Sequence, residues 1–171
     1  MSAVEQQSAD IERTPAGVTV RFERTFRRSR DEVWQALTEP ARLSAWLDEA
    51  LVELRLGGRF EIQFADGTMT GVITELVHER VLAYSWHEAQ PGRSHVRWEL
   101  SDADGGTLLR LEHTLLPDDS ASGFAAGWHH HLERLESLLG GSTVSWSPER
   151  FDELAQFYSA PEGEPATSWR D

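Results

Sequence analysis

The sequence predicts an α+β domain in which a curved antiparallel sheet of about seven strands is covered by one long helix near the C-terminus. Three observations predict it. Stretches of period-two hydrophobicity between residues 18 and 115 are separated by tight turn signals. Residues 120–139, placed at about 100° per residue, bring Phe124, Trp128, Leu132, Leu135, Leu138 and Leu139 into one stripe, with Glu133, Glu136 and Ser137 opposite. The 171 residues, 39% hydrophobic and with seven Trp, suffice for one buried core.

Residues 1–16 carry no periodicity and read as a flexible lead-in. Val18, Val20, Phe22 and Phe26 share one face of a first strand. Ser29 and Glu32 have the spacing of a capping box, so a short helix starts there, carries Val33, Trp34 and Leu37 inward and stops near Glu39-Pro40. A second short helical turn over 41–47 presents Leu43, Trp46 and Leu47. Gly57-Gly58 introduces a strand over 59–65, and Asp66-Gly67 reads as a type I′ hairpin pair that returns the chain over 68–77. His78-Glu79-Arg80, Pro91-Gly92 and Asp104-Gly105-Gly106 delimit strands over 81–87, 95–101 and 107–115. Such close reversals imply an antiparallel meander. Gly140-Gly141 ends the long helix, and Ser147-Pro148 opens a weaker one to about Tyr158 with Phe151, Leu154 and Phe157 or Tyr158 on its apolar side. The expected organisation is a lead at 1–16, the domain at 17–141, a helical extension at 142–158 packed on the domain or on another protomer, and a disordered tail at 159–171.

Composition narrows the function. A net charge of −13 repels phosphate backbones, and the small cluster Arg24, Arg27, Arg28 and Arg30 reads as a solvated face, so no nucleic-acid partner is expected. All sixteen basic residues are Arg, which excludes Schiff-base chemistry and a lysine base. Without cysteine there is no disulfide framework, thiolate zinc site or Cys nucleophile. The mean hydropathy of −0.47 and the lack of a long apolar run predict no membrane insertion. The polar N-terminus has no signal-peptide core, so a cytoplasmic protein is expected. Nucleophile elbows, phosphate loops, dinucleotide fingerprints and zincin helices are missing, so no catalytic residue and no cofactor is assigned. His129 and Glu133 have ligand spacing on a helix, but His129, His130 and His131 diverge by about 100° each, so no metal is expected.

Several separated motifs, in order, resemble the START/birch-pollen-allergen superfamily, SRPBCC, and within it the activator-of-Hsp90-ATPase-homologue branch. They are Arg30-Asp31-Glu32-Val33-Trp34-Gln35-Ala36-Leu37-Thr38-Glu39-Pro40, Leu43-Ser44-Ala45-Trp46-Leu47, Gly57-Gly58-Arg59-Phe60, Leu82-Ala83-Tyr84-Ser85-Trp86, Leu111-Glu112-His113-Thr114 and Gly127-Trp128. The resemblance spans about residues 18–140 and implies a bacterial-type helix-grip fold with a hydrophobic cavity between sheet and final helix.

Strand alternation reaches the same cavity. Phe60, Ile62 and Phe64 share a face, as do Leu82, Tyr84 and Trp86, then Val96, Trp98 and Leu100, then Leu109, Leu111 and His113. His131 sits at the edge of the helix stripe, whereas His129 and His130 are expected to point sideways and outward. The expected cavity lining is Phe60, Ile62, Phe64, Tyr84, Trp86, Trp98, His113, Trp128, His131 and Leu135. A small apolar molecule is the expected partner, with a homodimer also open. Three readings of function stay open: a binding protein that sequesters or presents such a molecule; a cyclase or dehydratase using His113, His131 or Tyr84 as acid and base; and a chaperone-ATPase-interacting protein, as the branch name suggests.

Overall fold

The turn phases between strands decide the architecture, because each close reversal forces its two strands to pair antiparallel. The computed structural model describes residues 2–87 and 94–159; the expected Pro91-Gly92 turn and the tail beyond Ser159 lie outside the described residues. After a short helix α1 (Ala3–Gln6) come strands β1 (Asp10–Thr14) and β2 (Gly17–Phe26). Helices α2 (Arg30–Thr38) and α3 (Pro40–Trp46) follow, then β3 (Glu49–Val52), β4 (Arg59–Phe64), β5 (Gly67–Val77), β6 (Val81–Ser85), β7 (His95–Ala103) and β8 (Gly106–Leu116). The long helix α4 (Ala121–Leu139) and a final helix α5 (Pro148–Ser159) complete the chain. All eight strands form one antiparallel sheet in the order β1-β2-β8-β7-β6-β5-β4-β3, with α4 covering it in a helix-grip arrangement. No helix among the described residues is long and apolar enough to cross a membrane.

Local chemistry sets the element ends as expected at several points. The Ser29 hydroxyl accepts from the Glu32 amide while the Glu32 carboxylate accepts from the Ser29 amide, a complete capping box. The residues expected to face the helix are buried, from Val18 and Phe22 on β2 to Leu109, Leu111 and His113 on β8, except Phe64 at the end of β4, which is half-buried. The sheet has eight strands against about seven expected, and two of them were not delimited in the sequence. β1 pairs with β2 along its whole length, inside the stretch read as a lead-in, and β3 pairs with β4. Both are edge strands. Since β1 is solvated on both faces, it carries no alternation. The β4–β5 turn also differs: Phe64 pairs with Gly67, so Ala65 and Asp66 form the turn, and neither has the positive φ that type I′ requires.

The core is a ladder of tryptophans. Trp46 on α3 meets Trp98 on β7 edge to face with ring centroids 5.8 Å apart, and Trp98 meets Trp128 on α4 at 5.4 Å. Every indole N–H in this ladder is satisfied: Trp46 donates to the Ala36 carbonyl at 2.8 Å, Trp98 to the Tyr84 hydroxyl at 3.0 Å, and Trp128 to Nδ1 of His113 at 2.9 Å. Three helices and three strands are thereby fixed relative to one another.

The sheet bends at Gly71, where β5 leaves β4 for β6. Thr70 bridges to His87, and a Cβ at Gly71 would stand 2.1 Å from the Ser85 carbonyl oxygen. Only glycine permits that approach. Gly71→Ala is therefore expected to destabilise by more than about 2 kcal/mol, read as a lower urea midpoint at unchanged m; an unchanged midpoint would show that the bend yields.

Candidate functional site

On α4, residues 123, 127, 131 and 134 follow the i, i+4, i+8, i+11 spacing of one helical stripe. That stripe reads Gly, Gly, His, Arg, and it faces a half-open cavity of about 630 Å³. Phe124 and Trp128 flank the stripe, Phe64 and Trp86 form the sheet-side wall, and Leu47 and Asp48 close the α3 end. The third wall comes from the C-terminal extension through Trp146 and Phe151. Ala65 and Asp66, the β4–β5 turn, stand at the rim with Ser120. The lining is dominated by aromatic rings.

Trp86 is the centre of that aromatic wall. Its ring centroid lies 6.0 Å from Phe64, 6.4 Å from Phe124 and 5.3 Å from Trp128. Across the cavity Trp146 lies 4.7 Å from the His131 ring and 5.6 Å from Phe151.

Four of the ten expected lining residues are at the cavity: Phe64, Trp86, Trp128 and His131. The other six, Phe60, Ile62, Tyr84, Trp98, His113 and Leu135, are fully buried core rather than cavity wall. Phe60 stacks on Tyr84 at 3.9 Å, and Trp46 from α3 packs against Trp98, so that end of the space between helix and sheet is filled by side chains. The cavity is displaced toward the N-terminal half of α4. There Gly123 and Gly127 replace side chains with open space: nothing stands within 4 Å of the place a Cβ would take on either.

Polar groups in and around the wall are held in defined states. Nδ1 of His131 donates to the Trp46 carbonyl at 3.2 Å, which leaves Nε2 as the acceptor of a neutral ring. Burial pushes the His131 pKa down to about 3 against that carbonyl's opposing effect. Burial likewise brings His113 down to about 3; its Nδ1 accepts from Trp128 and its Nε2 has no hydrogen-bond partner. Burial raises the Tyr84 phenol, which serves as acceptor for Trp98. Near neutral pH burial therefore holds His113, His131 and Tyr84 in their neutral forms.

Sequence reasoning turned His129 and His130 outward, yet both are buried, at 0% and 2% exposure. The reason is the C-terminal extension, which covers that side of α4. The Tyr158 hydroxyl accepts from the Ala9 amide and shares a hydrogen bond with Nδ1 of His129 at 2.7 Å. Nε2 of His130 accepts from the Ser147 amide at 2.9 Å, while its Nδ1 donates to Glu133. Arg150 pairs with the same Glu133, and Arg134 donates Nε to the Val144 carbonyl at 2.9 Å. Three adjacent histidines thus serve three different partners. Gly123, Gly127, Arg134, Trp146 and Phe151 were missed as lining residues. The Gly-x-x-x-Gly spacing inside an amphipathic helix was the available signal, since glycine weakens a helix interior.

Histidines held neutral by burial link stability to pH. His113 and His129, at about 3 and about 4 in the fold, each have an ordinary value of 6.5 when exposed. Between those values the unfolded chain binds protons that the native state does not, so this stability is complete above pH 6.5 and is lost as the pH falls. Each histidine contributes a slope of about 1.4 kcal/mol per pH unit. Urea midpoints measured from pH 7 to 4.5 should fall steadily, and because His131, also at about 3, titrates with the other two, His113→Gln should reduce the slope by about a third. A flat profile would contradict both burial and tautomer assignments.

Comparisons with known proteins agree with this geometry. A family model described as "Activator of Hsp90 ATPase homolog 1-like protein" matches residues 27–140. CalU16 from Micromonospora echinospora is similar in structure, with 28% identity over 90% of this chain and 95% of that one and a TM-score of 0.73. MLL2253 from Mesorhizobium loti has 28% identity over 74% of this chain and 99% of that one, with a TM-score of 0.68. The Aha1 dimer from Colwellia psychrerythraea shares the fold at 17% identity over 71% of this chain and 95% of that one, with a TM-score of 0.66. No curated protein matches the chain. With a match covering two thirds of its length and the helix-grip architecture in place, the chain belongs to the activator-of-Hsp90-ATPase-homologue branch of the SRPBCC superfamily.

Proposed function

We propose that this protein is a binding protein that sequesters or presents a small, largely apolar and aromatic molecule in the cavity between α4 and the sheet. The observation that carries the reading is the pair of cavity-facing glycines. A glycine in a helix interior, as at Gly127, is less favourable than alanine by about 1 kcal/mol, and packing offers no compensation here because the space beyond both Gly127 and Gly123, in the first turn, is open. A helix serving only as a cover for the core would fill that space with side chains. Keeping it open on an aromatic-walled cavity of about 630 Å³, within the range of small-molecule sites, favours a ligand as the occupant.

Substitution at one glycine separates stability from binding. Gly127→Ala should stabilise by about 1 kcal/mol and raise Tm by about 2–4 °C. Gly127→Leu should fold at least as well as the parent while losing the thermal shift that bicyclic aromatic compounds give the parent protein. Destabilisation by both substitutions, or retention of the shift in Gly127→Leu, would remove the glycines as support for the reading.

The C-terminal extension belongs to the same function as the third wall. Trp146 rests on the His130 and His131 rings at 4.6 and 4.7 Å and is 38% exposed, so it packs on the cavity without belonging to the core. Trp146→Ala is expected to weaken binding of the same compounds about tenfold or more, mainly through faster release, with little change in Tm. Unchanged release kinetics would leave the extension as packing alone.

A further inference from the structure

We infer that the cavity's ligand carries an ionised carboxylate, or an equivalent anionic oxygen group, directed at Arg134, together with a hydroxyl directed at His131. The inference rests on the binding reading above and names the ligand class. Arg134 is 9% exposed and lines the cavity. Its protein partners are two neutral carbonyls: Nε donates to Val144 at 2.9 Å and Nη1 to Leu47 at 3.4 Å. No carboxylate lies within salt-bridge distance of it among the described residues, whereas Arg59, Arg97, Arg110 and Arg150 hold two carboxylates each. Asp48 acts on it only at longer range, and burial lowers its pKa.

A guanidinium has five N–H donors in a fixed fork, and Arg134 uses two of them. The carbonyls of α3 and the C-terminal extension orient the fork without neutralising its charge. A nearly buried positive charge whose nearest carboxylate, Asp48 on the same cavity wall, makes no direct ion pair with it is poorly compensated, and an anionic oxygen group entering the cavity would supply both the charge and the bidentate acceptor. His131 stands one helical turn away, with Cβ separation of about 5–6 Å expected for such a pair. With Nδ1 committed to Trp46, its Nε2 can only accept. Donor and acceptor are thus set side by side on one aromatic-walled stripe. They fit an aromatic ring system that bears both a hydroxyl and a carboxylate.

The test compares four compounds by calorimetry on the full chain: 4-hydroxy-2-naphthoate, its carboxamide, its 4-methoxy analogue and 2-naphthol. The acid should bind at least about tenfold tighter than the carboxamide, with the methoxy analogue weaker than the acid, because charge-assisted hydrogen bonds are about twice as strong as neutral ones. Arg134→Gln should abolish the preference for acid over carboxamide, and Arg134→Lys, which keeps the charge, should retain part of it. That ratio is insensitive to a merely structural role of Arg134, and the parent protein alone already reports it if Arg134→Gln folds poorly. Equal binding of acid and carboxamide, or a preference that survives Arg134→Gln, would overturn the anionic class while leaving the apolar-ligand reading in place. Failure of all four to bind would overturn the binding reading and this inference with it.

Discussion

Burying an indole ring is favourable only if its N–H finds an acceptor in a place water cannot reach. Three tryptophans meet in this core under that constraint, and each solution ties together elements far apart in sequence. Trp46 reaches back to the Ala36 carbonyl and locks α3 against α2; Trp98 uses the Tyr84 hydroxyl and joins β7 to β6 beyond their backbone ladder. Trp128 uses His113, which docks α4 onto β8 in one register. That last bond also sets a protonation state. Since Nδ1 of His113 must accept, burial and hydrogen bonding both favour the neutral ring, and the core becomes sensitive to acid as a consequence of its own packing.

The same docking decides where space is left. With Trp128 pinned to His113, the stripe 123-127-131-134 faces the gap between α4, the β4–β5 turn and the end of α3. Trp46 fills the gap at one end, and the glycines leave it open at the other. The open end would be a groove but for the extension after Gly141. His130, Glu133 and Arg134 on α4 bind that extension through Ser147, Arg150 and Val144, and this places Trp146 over His131. One helix therefore has three working faces, toward the sheet, the cavity and the extension. That is why its three consecutive histidines have three unrelated partners.

Much of the fold was legible in the residues. Alternation along 59–65, 95–101 and 107–115 reported which side chains lie under the helix because these strands are solvated on one face and buried on the other. The capping box at Ser29 was legible because it is a local hydrogen-bond pattern. β1 and β3 were not, because an edge strand with little burial leaves no hydrophobic period, and its existence depends on the neighbour it pairs with. The β4–β5 turn was misplaced by one residue because pairing of Phe64 with Gly67, a contact between strands, outweighs the local preference of an Asp-Gly pair.

By itself the sequence determined the class of fold, the inward faces, the amphipathic stripe of the covering helix and the aromatic character of the interior, all of which follow from periodicity and composition. Tertiary structure decided which inward residues are wall and which are filler. Phe64 and Trp86 face space while Phe60, Tyr84 and Trp98 do not, because Trp46 arrives from a different helix to occupy the volume beside them. It also decided that His129 and His130 are buried and that Arg134 is held by carbonyls rather than by a carboxylate. Those outcomes depend on how α3 and the C-terminal extension pack on α4. Packing between elements distant in sequence leaves no trace in the local pattern of either one.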